Sequence, residues 1–151
     1  MAEQFAKLVG FEELKKKLAL LPQRIGRNAL RGAVNAGCTP MVEEARRNEM
    51  RSNKTGVLQA AIYKKQIPEL SSATQQIFHI GWRKGKRYQA VVKGKKTVNL
   101  DAYYGMFLEL GRSNQPPRPF MRPAFQTQRD NTIEAMRAYL EKRIPEEIAK
   151  L

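Results

Sequence analysis

The spacing of apolar and polar positions divides the chain into helical ends and a strand-like middle. Over residues 11–21, Phe11, Leu14, Leu18 and Leu21 recur at i, i+3, i+7 and i+10, one face of an amphipathic helix. Glu12 and Glu13 stand at its start and three lysines follow, the order a helix dipole favours. Pro22 ends it. Residues 23–50 form a second helical segment, with Ile25, Ala29, Ala33, Ala36 and Met41/Val42 along one side. These small residues suit close packing against a sheet or another helix. Gly37 and Pro40 interrupt the segment. Pro40 cannot donate to residue 36, so it reads as one kinked helix. The alternative is a break, with Thr39 as N-cap and Pro40 at the first helical position.

A turn at 52–56 precedes a change to period-two alternation. Val57 to Ile67, Thr74 to Trp82, Tyr88 to Val92 and Thr97 to Leu100 read as strands separated by polar or basic turns. They predict an antiparallel sheet of three or four strands with hairpin connections. Asp101 is placed to cap a buried helical segment, 102–110. Residues 124–143 predict a long amphipathic helix, with Phe125, Ile133, Met136 and Leu140 on the face packed against the sheet and Pro145 closing it. Helices, then a sheet, then helices make an α+β fold in a single domain, 1–151.

The stretch from Tyr103 to Ala124 organises this plan. Its first half is apolar on nearly all sides and carries one acid, Glu109. Gly111 stops it, because glycine accepts the backbone that ends a helix. Pro116, Pro117, Pro119 and Pro123 then fix φ and push each preceding residue toward an extended form. The expected result is a rigid strap that delivers Phe120 and Met121 to a fixed place, with a helix starting after Pro123.

Composition narrows the partners. The chain has 151 residues, 28 Lys and Arg against 14 Asp and Glu, and a formal net charge of +14, which implies a polyanionic partner or an acidic protein surface. No apolar run approaches the roughly 20 residues of a membrane span. The N-terminus lacks the pattern of a signal peptide, so synthesis is expected in the cytoplasm. The single cysteine, Cys38, cannot form an internal disulfide.

The candidate chemistry is sparse. His79 is the only histidine, and with Cys38 it does not make up a zinc set; it reads as a strand histidine. Cys38 lies among small residues and reads as a packed thiol. Gly94-Lys95 fails as a phosphate loop, since Gln89 stands where a glycine is needed and Lys96 where Ser or Thr is needed. The acid pairs at 12–13, 43–44 and 146–147 point in different directions on their helices, unlike a nuclease metal site. A non-enzymatic protein without cofactor or metal is expected. Glu109 should pair with a basic side chain such as Arg112, Arg118 or Arg122, because an unpaired buried carboxylate costs several kcal/mol. Arg83, Lys84, Lys86, Arg87, Lys93, Lys95 and Lys96, beside Trp82 and Tyr88, form a basic hairpin. It would contact DNA phosphates or an acidic partner without reading sequence, or serve as a solvated guard against strand pairing.

Three stretches together resemble the tail-completion, or head–tail joining, proteins of long-tailed bacteriophages, the gene-product-ten-like neck family. Thr55-Gly56-Val57-Leu58 is similar to its Thr-Gly-x-Leu opening of the sheet. Tyr104 to Gly111 resembles its Tyr-x-x-Phe-x-Glu-x-Gly segment, and Pro119-Phe120-Met121-Arg122-Pro123-Ala124 its strap before the last helix. Arg112 stands where the family usually has Thr, and Ala61 where it often has Ser. The resemblance implies a structural virion protein of the neck. Copies would form a ring, six-fold or twelve-fold, between the head connector and the tail tube or terminator, with DNA passing through the lumen. Glu109, Arg112, Arg118, Phe120, Met121 and Arg122 would position the strap and support the subunit contact. The competing reading is a basic protein that binds nucleic acid without sequence preference.

Overall fold

The apolar spacing over residues 11–33 builds a helical pair that the C-terminal helix completes. A computed structural model gives the fold and describes residues 9–50, 55–92, 94 and 96–151. Helix α1 spans Val9–Ala19 and α2 spans Gln23–Met50. Next come α3, Val57–Ala61, and β1, Ile62–Gln66, then a 3-10 turn, Pro68–Leu70. Strands β2 Phe78–Trp82, β3 Gln89–Val92 and β4 Lys96–Asn99 precede α4 Gly105–Leu110, α5 Met121–Thr127 and α6 Arg129–Ile148. The architecture is α+β, with N-terminal helices, small antiparallel ladders and a long C-terminal helix. The chain divides into two compact units: one holds the residues up to Gly37 with Gln66–Phe78 and Ile133–Leu151, the other Cys38–Lys65 with His79–Thr132.

In the first unit, Leu14, Leu21, Ala29, Ala33, Leu140 and Ile144 form one buried cluster, with Leu18, Ile25 and Tyr139 packed against it. Ile25, Ala29 and Ala33 repeat at i, i+4 and i+8 along α2, and Leu140 and Ile144 at i, i+4 along α6. Small side chains on α2 admit the larger ones of α6. The long C-terminal helix therefore packs on the N-terminal helices rather than on the sheet, as its periodicity alone had suggested. It also runs past the expected stop. Pro145 lies inside α6 and is exposed, so its missing N–H falls on the solvent side.

In the second unit the core comprises Val42, Ala45, Leu58, Ala61, Ile62, Leu100, Ala102, Phe120, Met121 and Ala124. Helix α2 continues through Pro40, as the kinked-helix reading requires and the broken-helix alternative does not. The strand predicted from Val57 is helical for its first five residues. Leu58, Ala61 and Ile62 are all fully buried, and their i, i+3, i+4 spacing is helical. The four strands form two two-stranded ladders, β1 with β2 and β3 with β4, instead of one sheet. The second ladder is antiparallel and pairs Gln89 with Asn99 and Val92 with Lys96. The turn at 52–54 lies outside the described residues.

Trp82 packs edge-on against Phe120, with ring centroids 5.4 Å apart. Gly105 makes room for that indole: a Cβ there would sit 2.7 Å from Trp82 Nε1 and 3.0 Å from Leu58 Cδ1.

The helical core of the first unit gives a direct test. Truncating Leu140 to Ala should cost about 2–5 kcal/mol, as for other buried leucines, whereas Phe125→Ala should cost less than about 1 kcal/mol because Phe125 is exposed. Urea unfolding of the two variants checks the order. Equal losses would mean that Phe125 is buried as deeply as Leu140, contrary to the separate short helix α5 that leaves it exposed.

Candidate functional site

Helix α5 begins at Met121 without a capping side chain of its own, since the residue before it is Phe120. A helix start leaves four backbone N–H groups without intrahelical partners. Here the N–H groups of Phe120, Met121 and Arg122 donate to the carboxylate of Glu109 at 2.8, 3.0 and 2.9 Å. The fourth position is Pro123, which has no N–H to satisfy. One carboxylate on α4 thus serves every free donor at the start of α5.

This arrangement corrects the expectation of a basic partner for Glu109. Its partner is the backbone of the strap, not Arg112, Arg118 or Arg122, all of which are exposed. Hydrogen bonds to an ionised acceptor are roughly twice as strong as neutral ones, and a helix N-terminus favours negative charge. Three such bonds offset the cost of burying the acid, whose residue is only 9% exposed.

The rest of the strap is stitched in the same way. Arg118 N–H donates to Leu108 C=O at 2.7 Å, and Asn48 Nδ2 donates to Phe120 C=O at 3.2 Å. Gly111 ends α4 with φ 74°, and a Cβ on it would lie 2.8 Å from the nitrogen of Pro117. Arg112 and Gln115 exchange backbone hydrogen bonds and close the polar turn. Phe120 and Met121 turn into the core, 1% and 7% exposed. Of the residues expected at a subunit contact, these two and Glu109 position the strap from within. Arg112, Arg118 and Arg122 remain on the surface, with Arg112 5.6 Å from the centroid of the Phe107 ring.

Segment 102–110 is less enclosed than its composition suggests. Tyr103, Met106 and Leu110 are 62%, 44% and 61% exposed. Met106 and Leu110 fall at i and i+4 on one side of α4, and Tyr103 stands in the turn before it, so apolar side chains face outward along this segment. The sequence conceals which side is covered, because the run is apolar all round. Asp101 does not cap this helix; its Oδ1 accepts the N–H of Gly85 at 2.8 Å and fixes the basic turn.

The basic residues do not act alike. The Arg83 guanidinium lies 4.6 Å from the Tyr63 ring centroid and 3.9 Å from that of Tyr88, so it is held between two aromatic rings. Lys84, Lys86 and Arg87 are exposed on the turn. Lys93 and Lys95 lie outside the described residues, and Lys96 is described only through its backbone position in β4. His79 is an exposed strand residue whose Nδ1 is 3.3 Å from the Tyr63 hydroxyl. Cys38 is buried in α2. Burial pushes its thiol above the ordinary thiol range, with the Lys64 ammonium opposing. Among the described residues no group of three or more His, Cys, Asp or Glu side chains is arranged to hold a metal ion. None of the described helices is long and apolar enough to cross a membrane.

No family model, curated protein or solved structure matches the chain.

The strap predicts an unequal response to substitution. Leaving a buried donor unserved costs about 1–3 kcal/mol, so Glu109→Ala should lower stability by more than ~3 kcal/mol. Arg118→Ala and Arg122→Ala should each stay within about 0.5 kcal/mol of the parent. Urea denaturation of the three variants measures this, and a large loss for either arginine would restore it as the partner. Cys38 should react slowly with iodoacetamide in the folded chain and rapidly in denaturant. Its raised thiol pKa predicts stability that is intact below the unfolded thiol value and falls as pH climbs through the folded one. Rapid native alkylation would contradict that burial.

Proposed function

We propose that this chain is a non-enzymatic structural protein of the neck of a long-tailed bacteriophage. In this reading copies assemble into a ring that completes the tail and joins it to the head connector, with DNA passing through the lumen. The observation that carries the reading is the bond between its two most specific sequence stretches. Tyr104 to Gly111 and Pro119 to Ala124 each resemble a stretch of the neck proteins, and the Glu109 carboxylate joins them. Together they form one device that sets backbone position. Such a device suits a protein whose task is to present a surface.

The surface beside it has the character of an assembly contact. The stripe Tyr103, Met106 and Leu110 is apolar and exposed, and Arg112, Arg118 and Arg122 are exposed on the segments that follow. Large exposed apolar patches rimmed by polar groups mark interaction sites. The proposed subunit contact therefore uses the stripe and the arginines, while Phe120 and Met121 hold the strap from inside. The basic turn favours a second reading, binding of nucleic acid without sequence preference, because Lys84, Lys86 and Arg87 are exposed on a turn fixed by Asp101. A DNA-lined ring and an acidic neighbouring ring each give a reason for the net charge.

Deleting the gene from the phage or prophage that encodes it should leave full heads beside unjoined tails in electron micrographs of the lysate. Intact infectious particles would overturn the neck reading. The nucleic-acid reading would then stand or fall on filter binding. It requires affinity for arbitrary DNA that drops steeply with salt and is lost in a Lys84→Ala/Lys86→Ala/Arg87→Ala variant.

A further inference from the structure

The first unit carries a feature that the neck reading does not use. A groove of about 610 Å³ is lined by α1, α2, α6 and the loop at 73–74, with Phe11, Leu14, Leu18, Leu30, Met136 and Leu140 among its walls. Leu14 and Leu140 belong to the core beneath, whereas Phe11, Leu18, Leu30 and Met136 are only half-buried. The volume falls within the roughly 300–1,000 Å³ of sites that enclose a ligand or anchoring side chains.

Its dimensions and charge select an occupant. The lining positions run from Phe11 to Ala19 along α1 and from Gln23 to Leu30 along α2. At 1.5 Å per residue each wall is about 11–12 Å long. An amphipathic helix places its anchors from i to i+7 over about 10.5 Å, the same length. The rim is basic: Lys15 and Arg27 line the groove, and Lys16, Lys17, Arg24 and Arg31 are exposed on the same two helices. Against these six cations, the acids of the same stretch are Glu12, which also lines the groove and lies 3.9 Å from Lys15, and the exposed Glu13. Gly26 also lines the groove, inside a helix where glycine is unfavourable by about 1 kcal/mol. A Cβ at that position would meet its nearest neighbour, Leu18 O, at 3.5 Å, an ordinary contact. Close packing does not require glycine there, and its absent side chain keeps the groove open.

We infer that this groove docks an amphipathic helix of a partner protein, with apolar anchors between α1 and α2 and carboxylates flanking them to meet Lys15 and Arg27. The inference does not rest on the neck reading, since it concerns other residues and a different unit of the chain.

The test uses the full chain and a fluorescein-labelled four-turn peptide with leucines at i, i+3, i+4 and i+7 and glutamates on either side. Fluorescence anisotropy should show saturable binding that weakens as salt rises. A peptide with lysine in place of each glutamate should not bind. Lys15→Glu/Arg27→Glu should weaken binding by about tenfold or more. Both side chains are exposed, so the thermal melt should not move. Gly26→Leu, which places a larger side chain at the groove wall, should abolish binding. Equal binding of the acidic and basic peptides would overturn the proposal. So would binding of oleate but not the acidic peptide, or dimerisation of the chain through this face with no peptide bound.

Discussion

The second unit depends on a buried carboxylate, Glu109, held by backbone N–H groups and, among the described residues, by no ion pair. Isolated in the interior, Glu109 would cost several kcal/mol. It is tolerable because the chain brings a helix start to it, with three N–H donors and a proline where the fourth would be. The dependence runs both ways. Helix α5 has no capping side chain of its own, and Phe120 and Met121 at its start are large and apolar. Buried without Glu109, its start would leave three donors unserved. Acid and helix are each unfavourable alone in this setting and favourable together. The prolines make the meeting reproducible: Pro116, Pro117 and Pro119 restrict the path, so little conformational freedom remains to be lost when the strap docks.

That coupling explains why the apolar core of the unit closes at the strap. The backbone of Phe120 is held on both sides, its N–H by Glu109 and its C=O by Asn48 of α2. Its ring has only to meet Trp82, edge-on, in the space Gly105 leaves. Polar bonds fix where the backbone lies, and apolar contacts then add stability without having to select the position. The arrangement is directional in a way that hydrophobic burial alone is not.

Much of this was legible from residue patterns, and the misreadings have physical causes. The helical face of 11–21 and the stop at Gly111 follow from local rules and the structure contains both, whereas the helix expected after Pro123 begins at Met121, because Pro123 fits a position in the first turn where no N–H is needed. Val57–Ala61 was misread because a short buried helix and a buried strand both show dense apolar residues; over five positions the two periods are not separable. Strand existence was readable in the middle of the chain, but the partition into two ladders was not, because pairing is non-local. Glu109 is conspicuous in its apolar setting, but a cation is only one way to hold a buried carboxylate, and backbone N–H groups serve it here. The better signal was Phe120. A helix start with no Ser, Thr, Asp or Asn at its cap, set among apolar residues, must borrow an acceptor from elsewhere.

Net charge gives a similarly blunt signal until each charge is placed. Several of the acids lie in short-range pairs on helix surfaces, such as Glu44 with Arg47, and Glu134 and Glu141 with Arg137. Pairs of that kind contribute little to stability, but they use up negative charge locally and leave the remaining cations to set the outward field. Those cations differ in what they can do. Arg83 is clasped by Tyr63 and Tyr88 and acts as a spacer between rings, so a tally of basic residues in the hairpin overstates the charge free to meet a phosphate. The exposed cations of α1 and α2 stand beside apolar walls instead, where a carboxylate can be met while a leucine is buried next to it. Recognition by these two basic regions should accordingly differ in kind: the hairpin can offer little beyond Coulomb attraction, whereas the helical face couples charge to shape.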